Sequence, residues 1–281
     1  MTPTHMRPSF FIIGVNKCGT SSLYRYLVDH PAVLPCAEKE PNFFGTRTPD
    51  DIAGHIHEYF ALFPTDEYGG PITFRWEAFD QAGGPRLTTV CVDRAPHGVY
   101  ITGEATASTF HEVSPSLLHR YLPETKLIVL VRNPVDRAYS HHRMYRRFAA
   151  VGNELGFDVG DFHRDIEAEL SAHERGERTH YLYPGLYVDR LEEWLAEYGA
   201  NQVRTIVTED LAKPPVARGI MRQLEAYLGL PSHDYADILA RRFNHAPPAD
   251  ITPSLRASLA AFYHPYNVRL QECLGRDLPW D

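Results

Sequence analysis

Hydrophobic and polar positions follow two rhythms along this chain. A continuous apolar run stands at Phe10–Val15, and further strands are expected at Val99–Gly103, Lys126–Val131 and Val203–Val207. Runs of this kind read as strands buried on both faces of a parallel sheet. Between them, apolar residues recur at helical spacing. Leu23, Tyr24, Leu27 and Val28 share a face in Thr20–Asp29, which His30-Pro31 ends. Ile56, Tyr59, Phe60 and Phe63 do the same in 52–63, and Val188, Leu191, Trp194, Leu195 and Tyr198 form a core stripe closed by Gly199. Ser114–Tyr121, Asn133–Phe148, Phe162–Arg175, Gly219–Leu228 and Pro253–Leu274 also read as helices, the last interrupted by Pro265. Ser114 is the expected N-cap of its helix, with Pro115 in the first turn. Strand alternating with helix predicts the α/β class: a parallel sheet flanked by helices on both faces, with ligands at the carboxyl ends of the strands.

The weakest pattern lies at 65–98. Gly69-Gly70, Gly83-Gly84 and several prolines mark it as a turn-rich insertion, with a strand expected at Thr88–Val92. No Gly/Ser/Pro-rich linker divides the chain. Its 281 residues at 43% hydrophobic content are expected to form a single domain over 1–281. The net charge of -8 argues against a nucleic-acid partner. The four cysteines have no metal-ligand or C-x-x-C spacing and suggest reduced thiols in a cytoplasmic setting. The N-terminal residues show no signal-peptide pattern, and no apolar run is long enough to span a bilayer. Despite fifteen histidines, neither H-x-x-x-H nor H-E-x-x-H occurs, so no metal is expected. His55 and His57 read as surface residues.

The candidate chemistry begins where the first apolar run stops. Gly14-Val-Asn-Lys-Cys-Gly-Thr-Ser21 is a strand–loop–helix junction. Such a junction aims backbone N–H groups and the positive end of a helix dipole at one point, which suits a phosphate-like anion. Gly14 and Gly19 have the spacing of the G-x-x-x-x-G-K-[ST] loop, but Thr20 stands where the lysine belongs and the lysine is Lys17. The fold expected is therefore P-loop-like without an ordinary Mg-dependent NTPase site. A tight turn without a ligand is the plainer alternative. The second anion signal is Arg132-Asn-Pro-Val-Asp-Arg-Ala-Tyr-Ser140, where a strand-terminal arginine and a helical hydroxyl could hold a second phosphate. The plainer reading pairs Arg132 with Asp136 and leaves Ser140 an ordinary helical serine. His141, His142, Arg143, Arg146 and Arg147 could meet an anionic acceptor, but read first as a solvated helix face.

Taken together, these stretches resemble the PAPS-dependent sulfotransferases, in particular bacterial relatives of the heparan sulfate and carbohydrate enzymes. Lys17, Gly19, Thr20 and Ser21 match the family's K-x-G-T-[ST] loop; Arg132 to Ser140 match its R-[ND]-P-x-x-R-A-x-S. Glu38-Lys-Glu-Pro-Asn-Phe-Phe44 is similar to its K-E-x-x-F-F segment, and Gly185 to Leu195 to its G-x-Y-x-x-x-L-x-x-W-L helix. The resemblance implies 3′-phosphoadenylyl sulfate (PAPS) as donor, adenosine 3′,5′-bisphosphate as product, and no metal. It implies that Lys17, Cys18, Gly19, Thr20 and Ser21 hold the 5′ group, and that Arg132 and Ser140 hold the 3′-phosphate. Lys17 would stabilise the leaving group. Glu40 would act as general base toward a hydroxyl or amine of a small-molecule, glycan or lipid acceptor. Glu104, Thr106 and Phe43 are candidates to line the acceptor site, with a strand-end structural role as the alternative for the first two. Two departures put a heparan-like acceptor in doubt and suggest a less charged one, such as a natural product of secondary metabolism. The E-K-x-P of the heparan-type relatives reads Glu104-Ala-Thr-Ala107, and their lysine-glycine-arginine loop has no counterpart near Arg242–Asp250. Alternatives are an atypical P-loop kinase or NTPase, which would need a metal-holding Asp where Arg132 stands, or a non-catalytic nucleotide-binding protein with no use for Glu40.

Overall fold

A computed structural model describes residues 4–66, 70–79, 85–94, 99–152, 158–241 and 250–280. In chain order the elements are β1 (Phe10–Gly14), α1 (Thr20–Asp29), β2 (Val33–Pro35), β3 (Glu38–Lys39), α2 (Pro49–Ala61), β4 (Gly70–Phe79), β5 (Pro85–Arg94), β6 (Ile101–Ala105), α3 (Thr109–Glu112), α4 (Pro115–Tyr121), β7 (Lys126–Val131), α5 (Pro134–Ala150), α6 (Phe162–Glu174), α7 (Tyr187–Tyr198), β8 (Val203–Val207), α8 (Thr208–Leu211), α9 (Pro214–Leu228), α10 (Ala236–Leu239) and α11 (Pro253–Leu274). Five strands form a parallel sheet in the order β2-β6-β1-β7-β8. β1 is buried along its whole length, and so is β7 from Leu127 to Val131. Helices cover both faces, as the alternation of elements predicts.

The strand order has a consequence for function. β1 leads through α1 to β2 on one side of the sheet, and β6 then crosses to β7 on the other side of β1. Connections that diverge on either side of a central strand leave a crevice at the strands' carboxyl ends. The loop after β1 and Arg132 after β7 both open there.

Two packing clusters fix the elements around that crevice. The large one surrounds the sheet and includes the fully buried Trp194 of α7, whose indole N–H donates to the Phe110 carbonyl (3.1 Å). The smaller one joins Val135 and Ala138 of α5, Phe162 and Ile166 of α6, and Leu259 and Tyr263 of α11. Burying a side chain of this size contributes roughly 1.5–3 kcal/mol. α5 is thus held rigidly on the side away from the crevice.

Several boundaries differ from the sequence reading. The strand expected at 99–103 is β6 at Ile101–Ala105, because Val99 is 90% exposed and the buried run starts later. Glu104 therefore lies inside the strand, not beyond it. Within 65–98, β4 and β5, ten residues each, pair antiparallel, and β3 pairs with β4 in parallel to make a second, three-stranded sheet. The strand expected at Thr88–Val92 is part of β5. α9 begins at Pro214 rather than Gly219, with the proline in its first turn. Gly83-Gly84 and the 242–249 segment, where a closing loop was sought, lie outside the described residues.

Candidate active site

The loop after β1 is shaped by three backbone facts. Gly14 sits against α3, where a Cβ would lie 2.5 Å from the Phe110 Cβ. Lys17 and Gly19 both take positive φ, 71° and 88°. Gly19 is then the N-cap of α1, and the first bond of the helix runs from Leu23 N–H to the Gly19 carbonyl (3.1 Å). The amides of Gly19, Thr20 and Ser21 precede that bond, at the positive end of the helix dipole. The loop carbonyls are tied back. The Thr208 hydroxyl donates to the Cys18 carbonyl (2.5 Å) and the Arg132 guanidinium to the Lys17 carbonyl (3.4 Å). Gly14→Ala is expected to force α3 outward and lower the unfolding free energy by about 1–3 kcal/mol, read as a lower urea midpoint.

Cys18 needs correction as a ligand contact. Its amide donates to the Val15 carbonyl (3.0 Å), and its fully buried thiol lies 3.7 Å from the Tyr187 hydroxyl. Burial pushes that thiol up to about 11. Cys18 is framework; the amides and hydroxyls beside it remain for a ligand.

Lys17 points along the crevice, its Nζ 3.6 Å from the Met144 sulfur. Its ammonium is lowered to about 8, first by burial, then by Arg147 and Arg132, while Glu40 opposes the shift. Those four side chains share one electrostatic neighbourhood. Met144 lies one turn from Ser140 and one turn from Arg147 on α5, so the three form a single stripe facing the β1 loop. Ser140 and Arg132 are both half-buried.

The Arg132 corner is braced by groups from farther along the chain. Tyr187 donates to the Arg132 carbonyl (2.8 Å). The Asn133 amide donates to one oxygen of Glu209 (2.8 Å), and the Trp280 indole donates to the other (3.1 Å). The Asn133 side chain caps α5 at Val135 and Asp136. Thr208 and Glu209 directly follow β8, so the rule that ligands gather at strand ends would have found them. Asp136 pairs with Arg256 (2.8 Å), not with Arg132. Among the described ion pairs, none takes the Arg132 guanidinium.

The rest of the α5 motif is interior. Arg137 is fully buried, donating to the Tyr181 carbonyl and, at 3.3 Å, to His141 Nδ1. His141 and His142 are 5% and 1% exposed, which corrects the reading of a solvated face for the two histidines; Arg146 and Arg147 are exposed, as that reading expects. The helix turns its histidines toward Tyr181 and Phe162 instead.

Glu40 stands across the crevice. Lys39 Nζ lies 3.1 Å from its Oε1, and the Ala107 amide donates to Oε2 (3.2 Å). Its side chain keeps 34% exposure, so the carboxylate is positioned yet reachable. Phe43 and Phe44 are each 4% exposed and pack on Tyr59, with the Arg47 guanidinium over the Phe43 ring. Phe43 is thus a core anchor for the Glu40 loop and not an acceptor contact. Glu104 and Thr106, each 1% exposed, are likewise closed to an acceptor. The Glu104 carboxylate accepts from the Tyr59 hydroxyl (2.8 Å) and the Thr106 hydroxyl (2.6 Å). Among the described residues, no group of three or more His, Cys, Asp or Glu is arranged to hold a metal, and no helix is long and apolar enough to cross a membrane.

Comparison with known proteins bears on this arrangement. Residues 8–234 match the model of the Sulfotransferase family. The chain is 26% identical over 302 residues to human bifunctional heparan sulfate N-deacetylase/N-sulfotransferase 3, covering 97% of this chain and 31% of that one. It is 26% identical over 317 residues to human carbohydrate sulfotransferase 15, covering 95% of this chain and 53% of the relative. It therefore spans from about three tenths to about half of these curated relatives. A solved sulfotransferase from Alicyclobacillus acidocaldarius superposes with a TM-score of 0.65 at 26% identity over 97% of both chains. A mouse sulfotransferase, SULT7A1, solved with PAP, shares the fold at 14% identity and a TM-score of 0.55, over 95% of this chain and 87% of that one. The family match takes in the β1 loop, the Glu40 segment, the Arg132 motif and α7 together: this chain belongs to the sulfotransferase family of enzymes.

Proposed function

We propose that this chain transfers a sulfuryl group from PAPS to a hydroxyl or amine, with Glu40 as general base and Lys17 beside the leaving group. The observation that supports the reading is that Lys17, Glu40 and Arg132 share one electrostatic neighbourhood, with the Arg132 guanidinium donating to the Lys17 carbonyl. Two anion sites of this kind suit a nucleotide phosphorylated at two positions. The Gly19, Thr20 and Ser21 amides and the Thr20 and Ser21 hydroxyls would take the 5′ group; Arg132 and Ser140 would take the 3′-phosphate. Sulfuryl transfer, like phosphoryl transfer, spreads charge over peripheral oxygens, so placement and electrostatics supply most of the acceleration. Lys17 meets charge growing on the departing oxygen. Glu40 accepts the acceptor's proton. The acceptor class is a small molecule or glycan; the carbohydrate relatives favour the glycan, the overall acidity a less charged one. The proposed setting is cytoplasmic, without a nucleic-acid partner.

Calorimetric titration tests the donor assignment. Adenosine 3′,5′-bisphosphate is expected to bind in EDTA and equally well with Mg²⁺ added. ATP with Mg²⁺ is expected to bind more weakly. A preference for Mg-ATP would return the site to the kinase reading.

A further inference from the structure

Glu104 is a buried acid that the reaction as proposed does not use. It lies in β6, one strand from the β1 loop, and its partners are unusually directed. Tyr59 of α2 donates to one carboxylate oxygen and Thr106 to the other, the second bond at 2.6 Å. Thr106 in turn accepts from the Asn42 amide (3.3 Å), two residues past Glu40. Ala107, next to Thr106, donates its amide to Glu40 itself (3.2 Å), and Ser108 donates to the Asn42 side chain (3.2 Å). The turn after β6 and the loop after β3 are thus buttoned together by reciprocal bonds, with Glu104 at their root.

We propose that Glu104 is a positioning residue for the base: through Thr106 it fixes the loop that carries Glu40, and its own charge sets how strongly Glu40 draws a proton. This rests on the reading of Glu40 as general base. The charged and titratable groups facing Glu104 come from every element around it. They are Tyr59 from α2, Lys39 and Glu40 from β3 and its loop, Cys36 after β2, and Tyr24 from α1. Burial pushes the Glu104 carboxyl up to about 7, with Glu40 adding to the rise; the Thr106 and Tyr59 bonds and the Lys39 charge oppose it. The sign follows. As pH rises through about 7, Glu104 loses its proton and puts a negative charge behind Glu40. That charge faces the loop that carries Glu40, and turnover is expected to climb there. Below that pH the acid is neutral.

The experiment is the pH dependence of kcat at saturating PAPS and acceptor for four proteins. The native chain is expected to show an inflection near pH 7. Glu104→Gln keeps the size and hydrogen-bonding oxygen and is expected to lose that inflection. Tyr59→Phe removes one bond to the charged form and is expected to move the inflection upward by roughly one pH unit. This second variant keeps the idea testable should Glu104→Gln fold poorly, and a merely structural Glu104 would not produce a displaced inflection. Glu40→Gln separates the two readings. If it abolishes turnover while Glu104→Gln and Tyr59→Phe leave the native profile unmoved, the positioning role is wrong and the base stands. If Glu40→Gln turns over normally, the base assignment itself falls.

Discussion

Glu40→Gln is expected to lower kcat by about 10²–10⁴-fold, the range for removing a positioned general base. Adenosine 3′,5′-bisphosphate should bind within a few-fold of the native affinity. The geometry accounts for the separation. Glu40 is held by the Lys39 ammonium and the Ala107 amide, neither of which belongs to the β1 loop or to the Arg132 corner. A glutamine still accepts from Ala107 and leaves both anion sites intact. It cannot take a proton from an acceptor. Single-turnover rates and calorimetry on the same variant decide the matter. A drop in turnover below tenfold, or a parallel loss of nucleotide affinity, would move Glu40 from base to binding group. Lys39 sharpens the point, since its side chain is only 5% exposed and its charge lies against the carboxylate.

Much of this frame was legible in the sequence, and the gaps have physical causes. β1 and β7 announce themselves because central parallel strands are apolar almost throughout; the edge strand β8 carries Arg204 and Thr205, yet its reading agrees to the residue. The α7 stripe and the bounds of α11 were equally plain. The β4–β5 pairing was not, since its glycine pairs and prolines outweigh the alternation in Thr73–Trp76 and Thr88–Val92. Lys17, Glu40 and Arg132 were visible through motif spacing and do converge on one crevice. What spacing cannot supply is depth. Cys18, Phe43, Glu104 and Thr106 stand in or beside the motif segments, yet the turn of a strand or loop sends each inward. Nor can it supply the braces. Thr208, Glu209, Tyr187 and Trp280 hold the loop and the Arg132 corner from far along the chain, and only the sheet order brings them there.

Lys17→Ala is expected to lower kcat by about 10²–10³-fold, as for loss of a donor aimed at developing charge. Unlike the Glu40 variant, it should also weaken adenosine 3′,5′-bisphosphate, because the loop amides and Arg132 must then face the 5′ group without the ammonium. Lys17→Arg should recover part of the affinity and little of kcat. A guanidinium keeps the charge, but its planar fork cannot occupy the compact place of an ammonium between Met144 and the loop. The pH dependence supplies an independent check. Burial and the neighbouring Arg147 and Arg132 lower the Lys17 ammonium to about 8. At pH 7 the free enzyme is then still mostly charged there, and kcat/KM for the donor should fall as pH rises through about 8. Arginine does not titrate in that range, so Lys17→Arg should keep a flat upper limb at its lower level. Removing Arg147 as alanine takes away a like charge and should carry the native limb to higher pH. An upper limb near 8 that survives Lys17→Arg would belong to another group. It would leave Lys17 as a residue held for its packing on Met144 rather than for its charge.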